Sequence, residues 1–379
     1  MSTRDDALLE RAAAEARRAG WLTTAPNPRV GALALCGGHV VGYGYHAVLG
    51  GPHAEEAALR DADAWDAETG SWRQGAVDEM VVTLEPCSSR AGGKRRAPCL
   101  EALLAAGVRR LVVGATDPDP RHAGAALQAF RDAGGEVVLR DHDAAFRALN
   151  RSFLRALARP DRPWVLLKWA ASLDGRTAAA SGDSQWISGP RSRAEVHALR
   201  ACSDAVLAGA GTLLQDDPSL DARDVDLPHG QQPLRVLLLP AAGELAAGPR
   251  ALASDGPRLW VKGADDPLPE AVRASGDPLL ALPRHADGLD LPALLAALRT
   301  DHGVRRLFVE GGARLHGALV AAGLVDAVTR YEAPRLFGGG VGACVGEGPT
   351  VPDAAAALVD EERADLGDDL RRAFLLDGE

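Results

Sequence analysis

Short apolar runs of strand character alternate with helical segments along the chain, and one proline-bearing stretch, RALARPDRP (Arg155–Pro163), interrupts the alternation. A chain patterned this way is committed to a layered α/β architecture, because each sheet face needs a helix to bury it. The first block opens with an amphipathic helix at about Ser2–Ala19. PNPRVGALALCGGHVVGYGYH follows and reads as two strands around a Gly37-Gly38 turn. Helices are expected at about His53–Ala64, Pro98–Ala106 and Ala123–Ala133, with strands at Glu79–Thr83, Arg110–Gly114 and Glu136–Leu139. Gly107 suits the end of the second of these helices. The second block restarts with the strand Trp164–Ala170. Further strands are expected at Ala205–Gly209, Leu234–Leu239, Leu259–Val261, Arg306–Val309 and Asp326–Ala333, with helices at Arg191–Ala201, Leu291–Thr300 and His316–Ala322. Ala241–Asp290, rich in Ala, Gly, Asp and Pro, is expected to be loop-heavy. At 379 residues the chain has room for two domains, placed at 1–150 and 164–379 with a linker over 151–163.

A formal net charge of −10 disfavours wrapping a nucleic-acid backbone but leaves room for a local basic pocket. No apolar run approaches the roughly 20 residues of a membrane span, and the N-terminus has no signal-peptide core. Five scattered cysteines are too few for a disulfide framework, which points to a cytoplasmic protein. Arginine supplies nearly all the basic charge; only Lys94, Lys168 and Lys262 are lysines. A retained lysine in such a chain marks a position where a guanidinium does not serve, although chance explains Lys262 well enough.

The chemistry of the first block lies in His53-Ala54-Glu55, Pro86-Cys87 and Pro98-Cys99. One histidine and two cysteines give three zinc ligands and leave a fourth tetrahedral position for water, as in catalytic rather than structural sites. Two residues apart on a helix, the His53 and Glu55 side chains diverge by about 200°, so Glu55 is suited to carrying the water's proton rather than to ligation. Cys87 and Cys99 are expected near helix starts, where backbone N–H groups favour thiolates. The pattern follows the zinc-deaminase signature, except that eleven residues separate the cysteines. Cys36, Cys202 and Cys344 lack such company and read as small core residues. Between the two ligand cysteines, Arg90, Lys94, Arg95 and Arg96 form either a solvated loop or a grip for a substrate phosphate.

In the second block, Lys168 interrupts an otherwise apolar strand, WVLLKWAA, where an unpaired ammonium is costly. It needs either a substrate phosphate or carboxylate, or a salt bridge to Glu310 or an aspartate. Gly311-Gly312 joins a strand to a helix, a geometry that offers backbone N–H groups to a phosphate. Gly209-Ala210-Gly211 lacks the third glycine of a dinucleotide fingerprint, Leu214 standing in its place, so a Rossmann dehydrogenase is rejected.

Taken in order, PNPRVGA (26–32), GYHAVLGGPHAE (44–55), TLEPCS (83–88), LNRSFL (149–154), LKWAASLDGRTA (167–178), SGDSQWIS (181–188), DDPSLDAR (216–223) and VEGGARLHGALVAAGLVDA (309–327) carry a resemblance over nearly the whole chain. The sequence resembles the bifunctional riboflavin-biosynthesis deaminase/reductases. The resemblance implies a cytidine-deaminase-like α/β/α domain that removes the 2-amino group of a diaminopyrimidinone ribosyl phosphate. It also implies a dihydrofolate-reductase-like α/β domain that uses NADPH to reduce the ribosyl group to ribityl. Carried over by motif position, His53, Cys87 and Cys99 are zinc ligands and Glu55 is the proton carrier. Lys168, Ser184, Arg200, Leu220, Arg223 and Glu310 match substrate-contacting positions. Ala170, Trp186, Thr212, Asp216, Gly312, Ala313, Arg314, Leu315, His316, Gly317 and Ala318 match cofactor-contacting ones. Lys168 and Glu310 are the candidates for the acid of the hydride step. A homo-oligomer acting on a small phosphorylated pyrimidine, without nucleic acid or membrane, is the implied context.

The sequence departs from the family between the cysteines. Ser89 replaces a histidine, and three extra residues precede Cys99. A reductase with a redirected or lost deaminase is therefore an alternative. A structural zinc or nucleic-acid-binding module is a third reading; it requires a closed fourth ligand and is disfavoured by the acidic charge.

Overall fold

The computed structural model describes residues 4–377 except 89–96, 121, 141, 244, 246–248 and 286–287. Ser89 and the cations Arg90, Lys94, Arg95 and Arg96 lie outside the described residues. The chain divides into two compact units, Met1–Ala158 and Arg159–Glu379.

The first unit is built on strands β1 (Gly31–Cys36), β2 (His39–Tyr45), β3 (Glu79–Val82), β4 (Arg110–Val113) and β5 (Glu136–Leu139), in the spatial order β2-β1-β3-β4-β5. β1 runs antiparallel to both β2 and β3, while β3, β4 and β5 are parallel. Side-chain alternation along each strand sorts the core into two layers. Ala32, Ala34, Met80, Val82, Leu111 and Val113 pack with Ala58, Leu103 and Phe130 from the helices Ala54–Asp61, Cys99–Ala105 and Ala125–Asp132. Leu33, Leu35, Val81 and Val112 face the other way, onto Leu8, Leu9 and Ala12 of the first helix, Arg4–Ala16. The result is the expected helix–sheet–helix sandwich. Helix Ala54–Asp61 lies directly against β2, and only glycine permits the approach. A Cβ on Gly44 would stand 2.1 Å from the Ala54 carbonyl oxygen, and one on Gly42 2.3 Å from that of Ala58.

The second unit holds a nine-stranded sheet: β6 (Trp164–Ser172), β7 (Ala205–Ala208), β8 (Leu234–Leu238), β9 (Arg258–Gly263), β10 (Leu279–Leu282), β11 (Arg306–Val309), β12 (Ala327–Ala333), β13 (Leu358–Leu366) and β14 (Asp369–Leu376). The spatial order is β10-β9-β8-β7-β11-β6-β12-β14-β13. It is parallel from β10 through β12, with an antiparallel hairpin closing one edge. Among its central strands, β7 and β11 are buried at every position, as a sheet covered on both faces requires.

Three expectations are corrected. Within 151–163, Arg151–Leu157 is a helix that follows Asp143–Leu149 with only Asn150 between them. Phe153 supplies its anchor, meeting Phe146 edge-on at 6.3 Å; one apolar contact is too little to show as periodicity. Beyond Ala158, Arg159 and Arg162 are fastened into the second unit by Asp326, which also accepts from the Val165 N–H. Ala241–Asp290 is less irregular than its composition suggests, since β10 and a helix at Glu270–Ser275 join the expected strand, β9, within it. Finally, Cys202 is buried, but Cys344 is exposed and Cys36 only half-buried, so neither of the latter is a core residue.

Candidate functional site

In the first unit, His53 is the N-cap residue of helix Ala54–Asp61, and its imidazole makes no capping bond. It turns instead to two thiols: Nδ1 is 3.2 Å from Cys99 Sγ and 3.7 Å from Cys87 Sγ. Cys99 is the first residue of helix Cys99–Ala105, and its backbone N–H points to Cys87 Sγ at 3.3 Å. Cys87 lies in the loop after β3 rather than on a helix, but its carbonyl accepts the Leu100 N–H, so the same helix start supports both thiols. A tetrahedral zinc with bonds of about 2.0–2.3 Å needs donors about 3.6–3.8 Å apart. The three ligand atoms all lie within 4.8 Å of one another, and the set fits.

The electrostatics also call for a cation. The Cys99 thiol is pushed well up by its hydrogen bond with Cys87, by burial and by the Glu55 carboxylate. Glu55, buried in the second position of its helix, is itself raised by burial, with His53 opposing. Two thiols and a carboxyl this close cannot all ionise without a positive charge among them.

Two neighbours of this site received no role from the sequence. The His46 ring packs edge-on to His53 at 5.3 Å, and its Nδ1 lies 2.9 Å from the carbonyl oxygen of Pro52, the residue before His53. Glu85 accepts the backbone N–H groups of Asp117, Gly124 and Ala126, tying down the loop after β4. A lone carboxylate in the apolar run before Cys87 was the available signal for Glu85. His46 offered none beyond standing inside a quoted motif.

In the second unit, a cavity of about 1870 Å³ is lined by every one of the substrate- and cofactor-matched residues, from Lys168 through Ala318. At its centre Glu310, following β11, accepts from Arg200 Nε and from Arg200 Nη2 at 3.0 Å, and it meets Lys168 Nζ at 3.5 Å. Of the two partners foreseen for Lys168, the salt bridge to Glu310 is present. Burial works against the Glu310 carboxylate, but Arg200 and Lys168 outweigh it and hold the pKa at about 2. The Lys168 ammonium is lowered by burial, with Glu310 opposing.

The two matched sets interleave around this centre, for Ser184 Oγ donates to Asp216 Oδ1 at 2.9 Å. Trp186 is 61% exposed, with the Arg193 guanidinium 4.9 Å above its ring. Gly312 opens helix Ala313–Ala321 at φ 65° with no side-chain cap, so the first N–H groups of that helix keep no intrahelical partner. A Cβ on Gly311 would stand 2.9 Å from the Gly209 nitrogen, so this strand-to-helix turn can lie against the end of β7 only because glycine stands there. Those features fit a dinucleotide phosphate. Buried His316 is held neutral, its pKa dropped to about 4 by desolvation.

A buried glutamate beside a His–Cys–Cys donor set, on a helix-covered sheet, defines a zinc-dependent deaminase domain. The second unit adds a reductase-type α/β domain. Residues 2–115 match the cytidine and deoxycytidylate deaminase zinc-binding region, and residues 163–369 match the RibD C-terminal domain. The riboflavin biosynthesis protein RibD of Escherichia coli (strain K12) is 38% identical over 346 residues, 88% of this chain and 89% of its own. Its counterpart from Aquifex aeolicus (strain VF5) is 34% identical over 84% of each chain. Among solved structures, Acinetobacter baumannii RibD, form 1, superposes with a TM-score of 0.72 at 31% identity over 99% of both chains. The chain belongs to the RibD family of bifunctional riboflavin-biosynthesis deaminase/reductases, whose two domains use zinc and NADPH. Among the described residues, no helix is long and apolar enough to cross a membrane.

Proposed function

We infer that this chain carries out two successive steps. The first is hydrolytic deamination of 2,5-diamino-6-(5-phosphoribosylamino)pyrimidin-4(3H)-one. The second is reduction of the ribosyl group of 5-amino-6-(5-phosphoribosylamino)uracil to ribityl. The observation that carries the reading is that the ligand triad with Glu55 and the Glu310-centred cavity occur in one chain, each inside its own compact unit. A Thermotoga maritima diaminohydroxyphosphoribosylaminopyrimidine deaminase/5-amino-6-(5-phosphoribosylamino)uracil reductase matches 98% of both chains at 26% identity and a TM-score of 0.66. The alternative of a redirected deaminase is not favoured by relatives that match across both domains.

In the first step, bound zinc supplies Lewis acidity that brings the pKa of water towards neutrality. Glu55, whose burial raises its proton affinity, takes the proton of the incoming water and delivers it to the departing amine, so that C–NH2 and water become C=O and ammonia. In the second, NADPH supplies the hydride. At a pKa of about 2, Glu310 holds no proton at neutral pH, which leaves Lys168 as the acid; its lowered pKa makes it the readier donor. Arg200 keeps Glu310 ionised, and Arg223 at the cavity wall is suited to the substrate phosphate. The cytoplasmic location and homo-oligomeric state expected from the sequence belong to the same proposal; the first is supported by the sparse, scattered cysteines and the second by the resemblance.

The test is ammonia release from the diaminopyrimidinone phosphate by zinc-loaded protein, alongside Glu55→Gln. Release that falls by about 100-fold or more in the variant supports the reading. Absence of release, with NADPH oxidation on the deaminated compound intact, restricts the protein to the reductase step.

A further inference from the structure

The segment from Asp217 to Asp224 forms part of the cavity wall and carries Leu220 and Arg223. It has no regular secondary structure, and Asp217, Leu220 and Asp224, none of them glycine, take φ of 41°, 57° and 59°. L-residues avoid that region unless the surroundings impose it. Among the described residues, no backbone-to-backbone hydrogen bond holds 218–224. Side chains rooted in the neighbouring core do so instead. Gln232, two residues before β8, grips Ala222 on both edges: Oε1 accepts the Ala222 N–H at 2.8 Å and Nε2 donates to the Ala222 carbonyl at 2.7 Å. Arg235, on β8 and 1% exposed, donates to the Ser219 carbonyl at 3.3 Å and to the carbonyls of Ala251, Ser254, Asp255 and Gly256. Arg200 Nη1 donates to the Asp221 carbonyl at 2.8 Å while the same guanidinium pairs with Glu310.

We propose that Gln232 is a positioning residue of the reductase site. Its amide locks the Ala222 peptide groups and so holds the strained 217–224 segment where Arg223 meets the phosphorylated substrate and Leu220 closes over it. The proposal rests on the reading of Leu220 and Arg223 as substrate contacts. Gln232 itself has both ends of its amide spent on Ala222, so it acts through the segment and not on the substrate. A side-chain amide bonded to both the N–H and C=O of one residue fixes rotation as well as distance. A single hydrogen bond does not. Without it the left-handed residues are released to relax, and Arg223 leaves its place relative to Arg200 and Glu310.

The experiment uses the full-length, zinc-loaded protein and four variants. Gln232→Met keeps length and loses both bonds. Gln232→Glu keeps the acceptor for the Ala222 N–H and loses the donor. Arg223→Ala and the Gln232→Met/Arg223→Ala double variant complete the set. Steady-state NADPH oxidation gives KM and kcat for 5-amino-6-(5-phosphoribosylamino)uracil, fluorescence gives the NADPH Kd, and ammonia release reports on the other domain.

The expected result is a KM raised about tenfold in Gln232→Met and less in Gln232→Glu. Changes in kcat and NADPH Kd should stay within about twofold, with deamination unchanged. The double variant should have a KM no higher than Arg223→Ala, because both changes remove the same interaction. If Arg223→Ala leaves KM unaltered, the assignment of this wall to the substrate fails. If Arg223→Ala raises KM and neither Gln232 variant does, positioning by Gln232 fails while the assignment stands. KM, kcat and NADPH affinity deteriorating together in both Gln232 variants also overturns it, since that is the mark of a general structural role. Should Gln232→Met not fold, Gln232→Glu decides by the same criteria.

Discussion

Lys168 shows what a single residue's surroundings decide. Its ammonium sits in a strand that is otherwise apolar, beside a carboxylate that Arg200 already grips on both oxygens. Removing the lysine therefore leaves Glu310 paired, and Lys168→Met is expected to fold. Its reductase kcat should drop by about 100-fold or more, with ammonia release untouched. Lys168→Arg restores the charge but holds its proton far more tightly than a lysine whose pKa burial has lowered, so it should not rescue turnover. A Lys168→Arg enzyme with near wild-type kcat would remove the lysine from proton donation. At this scale the sequence was informative about Lys168 and its pairing with Glu310, and silent about the third member of the cluster. The scarcity of lysine singled out Lys168, but nothing in the chain order ties Arg200 to a glutamate 110 positions away. His46 escaped for the same reason: its importance comes from the ring it leans on.

Among elements, helix Ala54–Asp61 carries His53 at its cap and Glu55 in its first turn, and the glycines of β2 set how closely it can lie. Gly44→Ala places a methyl 2.1 Å from the Ala54 carbonyl and must push the helix start away from the thiols. We expect weaker zinc retention against a chelator, a deaminase rate down by at least about tenfold and a loss of roughly 1–3 kcal/mol in domain stability, with reductase kinetics unchanged. Equal zinc affinity in the variant and the parent would show that the close packing does not position the ligand. Most elements of the sheets were legible because buried strands read as apolar runs, as β11 does; the half-exposed β5 and helix Leu291–Thr300 also fall at the expected residues. The hairpin β13–β14 was not, for β13 is an edge strand whose sequence, LVDEERADL, is largely charged and exposed, and charge is how an edge is kept from pairing with strangers. The short helix Arg151–Leu157 has too few turns to show a period.

At the level of the whole molecule, two chemistries occupy two units with separate cores. A strong zinc chelator is expected to abolish ammonia release while NADPH oxidation with the deaminated substrate continues at its original rate. Readdition of zinc should restore the first activity alone. Simultaneous loss of both would mean that the metal holds up more than its own domain. The two-domain plan was visible from length and from the break in alternation, and the boundary after Ala158 falls inside Arg155–Pro163; what composition did not show is that Arg151–Leu157 is helical and closes the first unit. Pro160 and Pro163 mark the start of the second unit, while the first unit closes on a helix held in part by a pair of phenylalanines.

That ending has a practical side. Asn150, 1% exposed between the last two helices of the first unit, accepts the Arg29 N–H on Oδ1 at 2.6 Å and returns Nδ2 to the Arg29 carbonyl at 3.2 Å. Arg29 belongs to the stretch leading into β1, 121 positions earlier. A gene fragment trimmed at Leu149, inside the LNRSFL motif, would strip that stretch of its fastening and leave both peptide groups of Arg29 without these partners. One carried through Ala158 keeps the knot tied, so the last nine residues of the first unit are its closing stitch.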